Sequence, residues 1–115
     1  MRIVIVGARG MLGTDLMRAF GGRGELTGLD IEELDITDEA RCRACIGALS
    51  PDLVINAAAM TRVDDCESHA EEAFRVNGVG AGNVAAAASE SGARLVHYST
   101  DYVFDGRKQG PYVEE

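Results

Sequence analysis

The strongest constraint on the fold lies in the first twenty residues. A β-branched run from Arg2 to Val6 ends at Gly7, which is typical of a strand buried on both faces of a parallel sheet. Met11 to Phe20 then carries apolar residues at helical spacing, and two glycines close it. A strand that turns through glycine directly into a helix is the first half of a βαβ unit. The sequence therefore predicts an α/β protein.

The same alternation of strand and helix continues along the chain. The pattern predicts strands over 25–30, 52–56 and 94–99, a helix from Thr37 or Asp38 to Leu49, and a long Ala-rich helix from about Glu67 to Ser91. Such alternation predicts right-handed crossovers and a Rossmann-type parallel sheet with helices on both faces, about four strands of which lie in this chain. We expect strand one inside the sheet, strands two and three on one side of it, and strand four on the other.

Three glycines form a GxxGxxG motif where strand one meets helix one: Gly7, Gly10 and Gly13. The free N–H groups and positive dipole end of a helix favour an anion at this position. In that arrangement Gly7 permits the turn, Gly10 lets a phosphate approach the backbone, and Gly13 lets the helix pack against the strand. The motif predicts a pyrophosphate site for NAD(H) or NADP(H), the alternative being a glycine-rich turn without a ligand.

Asp30 ends strand two, about 20 residues beyond the glycines, where an acidic residue commonly binds the adenosine ribose. Its carboxylate would accept hydrogen bonds from both ribose hydroxyls. It would also repel a 2′-phosphate, which favours NAD(H) unless Arg9 or a residue outside this chain compensates. The alternatives are a solvated loop carboxylate or a helix cap.

Two further segments follow the predicted strands three and four. Residues 56–59, Asn-Ala-Ala-Ala, have small side chains that leave room for a ribose and a nicotinamide. Asp64, Asp65 and Glu67 then supply negative charge to a helix N-terminus, a role we favour over a metal site. Residues 99–101, Ser-Thr-Asp, follow strand four, at the carboxyl edge where open α/β sheets bind ligands.

Composition excludes several classes of function. A net charge of −8, from 19 acidic and 11 basic residues, argues against a nucleic-acid partner because such surfaces need clustered Lys and Arg. No apolar run approaches the roughly 20 residues of a membrane span and no signal peptide is evident, so we expect a cytoplasmic protein without a membrane partner. Cys42 and Cys45 lie within a helical pattern, which favours two half-buried thiols over a redox or zinc site.

Three strings together resemble the dTDP-4-dehydrorhamnose reductases, a family of extended short-chain dehydrogenase/reductases. They are GxxGxxG, NAAAMTRVDDCE at 56–67 and, most specifically, STDYVFDG at 99–106. The resemblance covers the whole chain. It implies reduction of the sugar nucleotide dTDP-4-dehydro-L-rhamnose to dTDP-L-rhamnose by NADH or NADPH, a step of dTDP-rhamnose biosynthesis. The sequence itself indicates no Mg²⁺ site.

The resemblance also implies roles for individual residues. The cofactor's pyrophosphate would contact Gly10, Met11 and Leu12, and its adenosine would contact Asp30, Asp35 and Ile36. The nicotinamide side would be lined by Ala58, Ala59, Met60, Thr61 and Tyr98. The sugar nucleotide would face Thr61, Val63, Thr100, Asp101 and Tyr102. Thr100 would be the catalytic hydroxyl that binds the C4 oxygen of the keto sugar and helps tune the proton donor.

One feature of the family has no counterpart within these 115 residues. The family's proton donor is the Tyr of a YxxxK motif, beyond a PYxE segment that matches 111–114, and no Tyr here has a Lys four residues later. We expect residues 1–115 to be the amino-terminal, NAD(P)-binding part of a longer enzyme, inactive alone and prone to self-association. The alternatives are a non-catalytic NADP-binding regulatory subunit of the methionine adenosyltransferase type and a related sugar-nucleotide epimerase or dehydratase.

Overall fold

A computed structural model describes residues 1–114 as a parallel sheet flanked by helices. The strands are β1 (Arg2–Val6), β2 (Glu25–Leu29), β3 (Leu53–Asn56) and β4 (Arg94–His97). The helices are α1 (Met11–Phe20), α2 (Glu39–Leu49), α3 (Val63–Ser68), α4 (Ala70–Phe74) and α5 (Ala81–Glu90), with a π-helical turn at Arg75–Gly80 and a 3-10 turn at Asp101–Val103. All four predicted strands and the first two predicted helices are confirmed, with differences of one or two residues at their ends.

The strand order is β2-β1-β3-β4, and all three neighbouring pairs are parallel. The prediction that β3 lies beyond β2 and that β4 lies beside β1 is wrong. Val4 of β1 pairs with Thr27 on one side and with Val54 on the other. The apolar β3 takes the interior position, whereas β2, with Thr27 and Gly28 in its middle, forms an edge. Hydrophobic alternation identifies the faces of a strand but not its neighbours, so the sequence pattern left this order open.

The core has two parts, one on each face of the sheet. Because successive side chains of a strand point to opposite faces, Val4 and Val6 pack with residues of α2 and α5. Ile3 and Ile5 pack on the other face with Leu16 of α1. These four β1 side chains are at most 2% exposed, and full burial of each stabilises the fold by about 1.5–3 kcal/mol. The prediction of a first strand buried on both faces is confirmed.

The predicted long Ala-rich helix is wrong in its continuity and in its start. The helical segment begins at Val63, breaks at His69, whose φ is −126° and ψ 54°, and passes through the π-helical turn before α5. A Cβ added to Gly80 would lie 2.7 Å from Ile36 Cγ1, so this turn packs closely on the segment after β2. Such tertiary contacts decide where a helix deviates, and propensity does not report them. Within residues 1–114, no helix has the length and apolar character needed to cross a membrane.

Helix α2 begins as predicted, with the Asp38 carboxylate accepting the Arg41 N–H at 3.0 Å. Cys42 is fully buried one turn later and lies 3.5 Å from the Ile36 carbonyl oxygen, while Cys45 is half-buried. Burial raises the pKa of the Cys42 thiol to about 11, so the thiol is protonated at neutral pH. Both cysteines are therefore packing residues of a helix, with Cys42 more deeply buried than predicted.

The β4 edge leads to a prediction about association. All four residues of β4 are exposed, among them the apolar Leu95 and Val96, and an open edge of this kind is a template for pairing with another chain. We predict that residues 1–115 self-associate at micromolar concentration, giving a sedimentation mass above the 12.2 kDa of one chain. Val96→Lys should reduce this mass, because an edge lysine opposes strand pairing. Val79→Lys, at an exposed apolar position outside the sheet, is the control, and a chain that is monomeric throughout would contradict the prediction.

Candidate functional site

A cleft of about 270 Å³ lies at the carboxyl ends of β1, β2 and β3. Parallel α/β sheets bind their ligands at this edge. The cleft is formed by the glycine turn after β1, the segment after β2, the loop after β3 and one side chain of the π-helical turn. Its lining residues are Val6, Gly7, Gly10, Asp30, Ile31, Leu34, Asp35, Ile36, Ala57, Ala58, Ala59 and Val76.

Gly7 makes the turn that opens the cleft. Its φ is +80°, a left-handed conformation that favours glycine, and its N–H donates to the Leu29 carbonyl at 2.8 Å. The Ala8 N–H donates to the same carbonyl at 3.0 Å, which ties the end of β1 to the end of β2. A Cβ on Gly7 would lie 2.6 Å from the Ala58 nitrogen, so the loop after β3 passes too close for any side chain here.

The other two glycines differ in what surrounds them. A Cβ on Gly13 would lie 1.9 Å from the Gly7 carbonyl oxygen, because α1 packs directly against the turn. A Cβ on Gly10 would have the same oxygen as its nearest neighbour, but at 3.4 Å, and Gly10 itself lines the cleft. The fold therefore requires glycine at position 13, whereas glycine at position 10 leaves space on the cleft side.

The N-terminus of α1 suits an anion. Within residues 1–114 no side chain caps it, and its first turn contains no acidic residue. By contrast, α2 is capped by Asp38 and carries Glu39 in its first turn. The first N–H groups of any α-helix lack partners inside the helix and lie at its positive end. The N-cap of α1, Gly10, lines the cleft, so these donors suit a phosphate-bearing ligand in it.

Asp30 is held in a defined orientation at the cleft. One carboxylate oxygen accepts the Arg9 N–H at 2.7 Å, and the other accepts the Ile31 N–H at 2.9 Å. Each oxygen of an ionised carboxylate has capacity for a second donor, so both can still accept a ligand hydroxyl. Asp30 therefore joins the glycine turn to the end of β2 and lines the cleft, rather than standing free in solvent.

A charged network surrounds Asp30. The Arg9 guanidinium contacts the carboxylates of both Glu32 and Glu33, with 2.9 Å between Nη2 and Glu33 Oε2. The same Glu33 oxygen accepts the Asp30 N–H at 2.9 Å. This backbone donor, together with Arg9, holds the pKa of the Glu33 carboxyl below its usual value. Sequence reasoning included Arg9 only as a compensating charge and missed the two glutamates, although their place directly after Asp30 was a signal.

Asp35 and Ile36, which the family resemblance places beside an adenosine, both line the cleft. Asp35 Oδ1 accepts the Thr37 hydroxyl at 2.7 Å and the Thr37 N–H at 2.9 Å, and these bonds lower the pKa of the carboxyl. The Ile36 carbonyl accepts the Asn83 side-chain amide at 2.9 Å, which fixes this segment to α5. Four apolar lining residues were missed, Val6, Ile31, Leu34 and Val76, and the apolar residues among the acids at 30–36 were the available signal for Ile31 and Leu34.

The loop after β3 is fixed at both ends by asparagines. The Asn56 side chain is buried, accepts the Ala58 N–H at 3.1 Å and lies 3.3 Å from His97 Nδ1. Asn77, in the π-helical turn, accepts the Met60 N–H at 2.7 Å and donates to the Met60 carbonyl at 2.9 Å. Ala57, Ala58 and Ala59 between these anchors line the cleft. Sequence reasoning missed Asn77, because its partner lies 17 residues away.

The remaining predicted site residues lie outside the lining of the cleft. Met11 and Leu12 are exposed in the first turn of α1, and Gly13 is buried beneath them. The others are the half-buried Met60 and the exposed Thr61, Val63, Tyr98, Thr100, Asp101 and Tyr102. Thr100 Oγ1 accepts the Tyr102 N–H at 3.1 Å, at the start of the 3-10 turn. Because Asn56 pairs with His97, the segments after β3 and β4 leave the same edge of the sheet.

Comparisons with known proteins agree on one family. The family model described as RmlD substrate binding domain matches residues 1–115. A dTDP-4-dehydrorhamnose reductase of Burkholderia thailandensis is 42% identical over 114 residues, 99% of this chain and 38% of that protein. The crystal structure of such a reductase from Clostridium acetobutylicum has a TM-score of 0.93 and 41% identity, covering 99% of this chain and 41% of the other.

A second solved structure adds a bound molecule. A dTDP-4-dehydrorhamnose reductase of Bacillus anthracis, solved in complex with NADP, is 37% identical to this chain with a TM-score of 0.87. The match covers 93% of this chain and 39% of that reductase. The chain thus spans about two fifths of the length of these relatives.

Proposed function

This chain belongs to the RmlD substrate binding domain family, and we propose that residues 1–115 hold NADH or NADPH for a reductase acting on dTDP-4-dehydro-L-rhamnose. The observation that carries the proposal is the cleft in which Gly10, at the uncapped N-terminus of α1, and Asp30 line the same space. A dinucleotide carries a diphosphate and a ribose, which are the groups that these two features recognise. The dTDP-4-dehydrorhamnose reductases among this chain's relatives, and the NADP complex of one of them, support the choice of cofactor and reaction.

The adenosine half of the cofactor would lie along the segment after β2. Asp30 would accept hydrogen bonds from the ribose hydroxyls, and the adenine ring would pack among the apolar Ile31, Leu34 and Val76 beside Asp35 and Ile36. The diphosphate would accept the N–H groups of Met11 and Leu12 and pass over Gly10, whose own N–H donates to the Gly7 carbonyl at 3.2 Å. These donors are backbone groups fixed by the helix, so they need no reorganisation on binding.

The reacting half of the cofactor would lie over the loop after β3. Bound NAD(P)H supplies a hydride for the C4 carbonyl of the keto sugar. The Asn56 and Asn77 anchors would hold Ala58, Ala59 and Met60 against the nicotinamide, with Thr61 and Tyr98 beside it. Thr61, Val63, Asp101 and Tyr102 would face the sugar nucleotide, and Thr100 would bind its C4 oxygen. No proton donor is proposed among residues 1–115, because none of their three tyrosines has a Lys four residues later, and the loss of a general acid lowers turnover by about 10²- to 10⁴-fold.

The substitution Asp30→Ala tests the proposed cofactor site. In residues 1–115, titrated with each cofactor by fluorescence, it should weaken NADH at least about tenfold, because hydrogen bonds from the ribose hydroxyls to a charged acceptor are lost. NADPH should lose less, because its 2′-phosphate replaces one of those hydroxyls and is relieved of repulsion by Asp30.

Asp52→Ala is the matched control for this substitution. Asp52 also accepts a backbone N–H, that of Arg2 at 2.6 Å, but it precedes β3 at the opposite end of the sheet. It should leave both dissociation constants unchanged. Equal losses of NADH and NADPH in Asp30→Ala would show that Asp30 is not the ribose ligand. An unmodified chain that binds neither cofactor would overturn the proposed function.

A further inference from the structure

Arg9 stands at the point where a dinucleotide with and without a 2′-phosphate would differ. Its N–H donates to Asp30, the proposed ribose ligand, at 2.7 Å. Its guanidinium extends past Asp30 to the carboxylates of Glu32 and Glu33. The side chains of Arg9, Glu32 and Glu33 are 57%, 69% and 44% exposed, so the cluster is exposed to solvent beside Asp30 and outside the lining of the cleft.

The charges of this cluster oppose a phosphate. Asp30, Glu32 and Glu33 outnumber the single positive charge of Arg9, which leaves a net charge of about −2 beside the ribose position. A phosphomonoester adds about −1.5 to −2 at pH 7. It would therefore have to displace two carboxylates from the guanidinium and remain close to a third. A ribose hydroxyl brings no charge and needs only the Asp30 carboxylate.

We propose that Glu32 and Glu33 are specificity-determining residues, which occupy Arg9 and so make the site prefer NADH to NADPH. The inference rests on the proposed function, since it presumes that the cleft holds a dinucleotide. Without the two glutamates, Arg9 becomes a free guanidinium at the ribose, able to bind a phosphate through two parallel hydrogen bonds.

Glu33 is the better fixed of the two glutamates. One of its oxygens accepts the Asp30 N–H as well as the Arg9 guanidinium, so its position does not depend on Arg9 alone. The lowered pKa of this carboxyl keeps it ionised at neutral pH. Among the described residues 1–114, the Glu32 carboxylate contacts only the Arg9 guanidinium, and its side chain is the more exposed of the two. Because exposed ion pairs are weak individually, the preference should be graded and not absolute.

The double substitution Glu32→Gln/Glu33→Gln measures the effect. Dissociation constants of NADH and NADPH for residues 1–115 are determined by fluorescence titration at low ionic strength. We expect NADPH to bind about tenfold more tightly than to the unmodified chain, with NADH changed less than about threefold. Adding Arg9→Ala to the double variant should abolish the increase in NADPH affinity, because the Arg9 guanidinium is the group that would bind the 2′-phosphate.

The chain contains a closely matched control. Arg43 of α2 also contacts two glutamates, Glu39 at 3.0 Å and Glu90 at 3.1 Å, and none of the three lines the cleft. Glu39→Gln/Glu90→Gln therefore makes the same change in net charge and in ion pairs elsewhere, and should leave the ratio of the two dissociation constants unaltered. If this control shifted the ratio of the two dissociation constants equally, the change in net charge alone would explain the effect and the inference would be overturned.

Two further outcomes separate this inference from the function on which it rests. If the unmodified chain binds NADH and the double variant binds both cofactors in the original ratio, the inference is wrong and the proposed function stands. If the unmodified chain binds neither cofactor, the proposed function is wrong. Should thermal melting show that the double variant is unfolded, Glu32→Gln alone leaves intact the hydrogen bond that the Asp30 N–H donates to Glu33. It should shift the ratio toward NADPH about threefold, and an unchanged ratio would again refute the inference.

Discussion

Replacing Gly13 with alanine should destabilise the fold by at least about 3 kcal/mol, at the upper end of what overpacking costs. The added Cβ would lie 1.9 Å from the Gly7 carbonyl oxygen and 2.8 Å from the Ala8 Cα. Both are backbone atoms of the turn between β1 and α1, so no side-chain rotation relieves the clash. The helix would have to move away from the strand, which opens the packing of Leu16 against Ile3 and Ile5.

Thermal unfolding followed by circular dichroism measures this effect, and the melting temperature should fall by more than about 10 °C. Gly82→Ala is the control, because Gly82 is exposed within α5 and an added Cβ would have no described neighbour within 4 Å beyond the adjacent residues and the backbone of its own helix. It should raise stability by about 0.5–1 kcal/mol, since glycine is a poor helix former. A Gly13→Ala chain that melts like the original would contradict the packing described for this turn.

Gly10→Ala should have the opposite profile, with the fold retained and cofactor binding lost. Gly10 has φ −68° and ψ 174°, which any residue adopts, and the nearest atom to an added Cβ is 3.4 Å away. The methyl group would instead stand at the cleft, where the proposed diphosphate approaches the backbone. Loss of one charge-assisted hydrogen bond weakens binding by about 10- to 100-fold, and we expect NADH and NADPH to lose affinity alike.

Fluorescence titration gives the affinities for Gly10→Ala, and a melting curve run in parallel reports its stability. Gly47→Ala is the control, because Gly47 lies in α2 and outside the lining of the cleft. It should leave the affinities for NADH and NADPH unchanged. If Gly10→Ala binds both cofactors normally, the diphosphate does not lie at this turn. If it melts far below the original chain, the turn is tighter than its contacts indicate.

The features that the sequence predicted correctly are local ones. Strand β1, helix α1 and the Asp38 cap of α2 each follow from a pattern that is complete within about ten residues. The position of the cleft was also predictable, because the carboxyl edge of a parallel sheet is the place where βα turns carry ligands. Gly7 and Asp30 line it because they directly follow β1 and β2, and Gly10 lines it because it lies in the turn after β1.

The tertiary structure alone decided the features that join distant segments. Periodicity reports which face of a strand is buried but not which strand lies at its edge, so β3 beside β1 could not be derived from it. Propensity favoured one long helix, whereas the contact of Gly80 with Ile36 and the clamp of Asn77 on Met60 accompany a π-helical turn within it. Arg9 contacts Glu33, which lies 24 positions away in the sequence. No local sequence pattern identifies either residue as the partner of the other. The two partners of each contact are distant in sequence and become neighbours only in the folded sheet. The energy of such a contact therefore cannot be read from either segment alone.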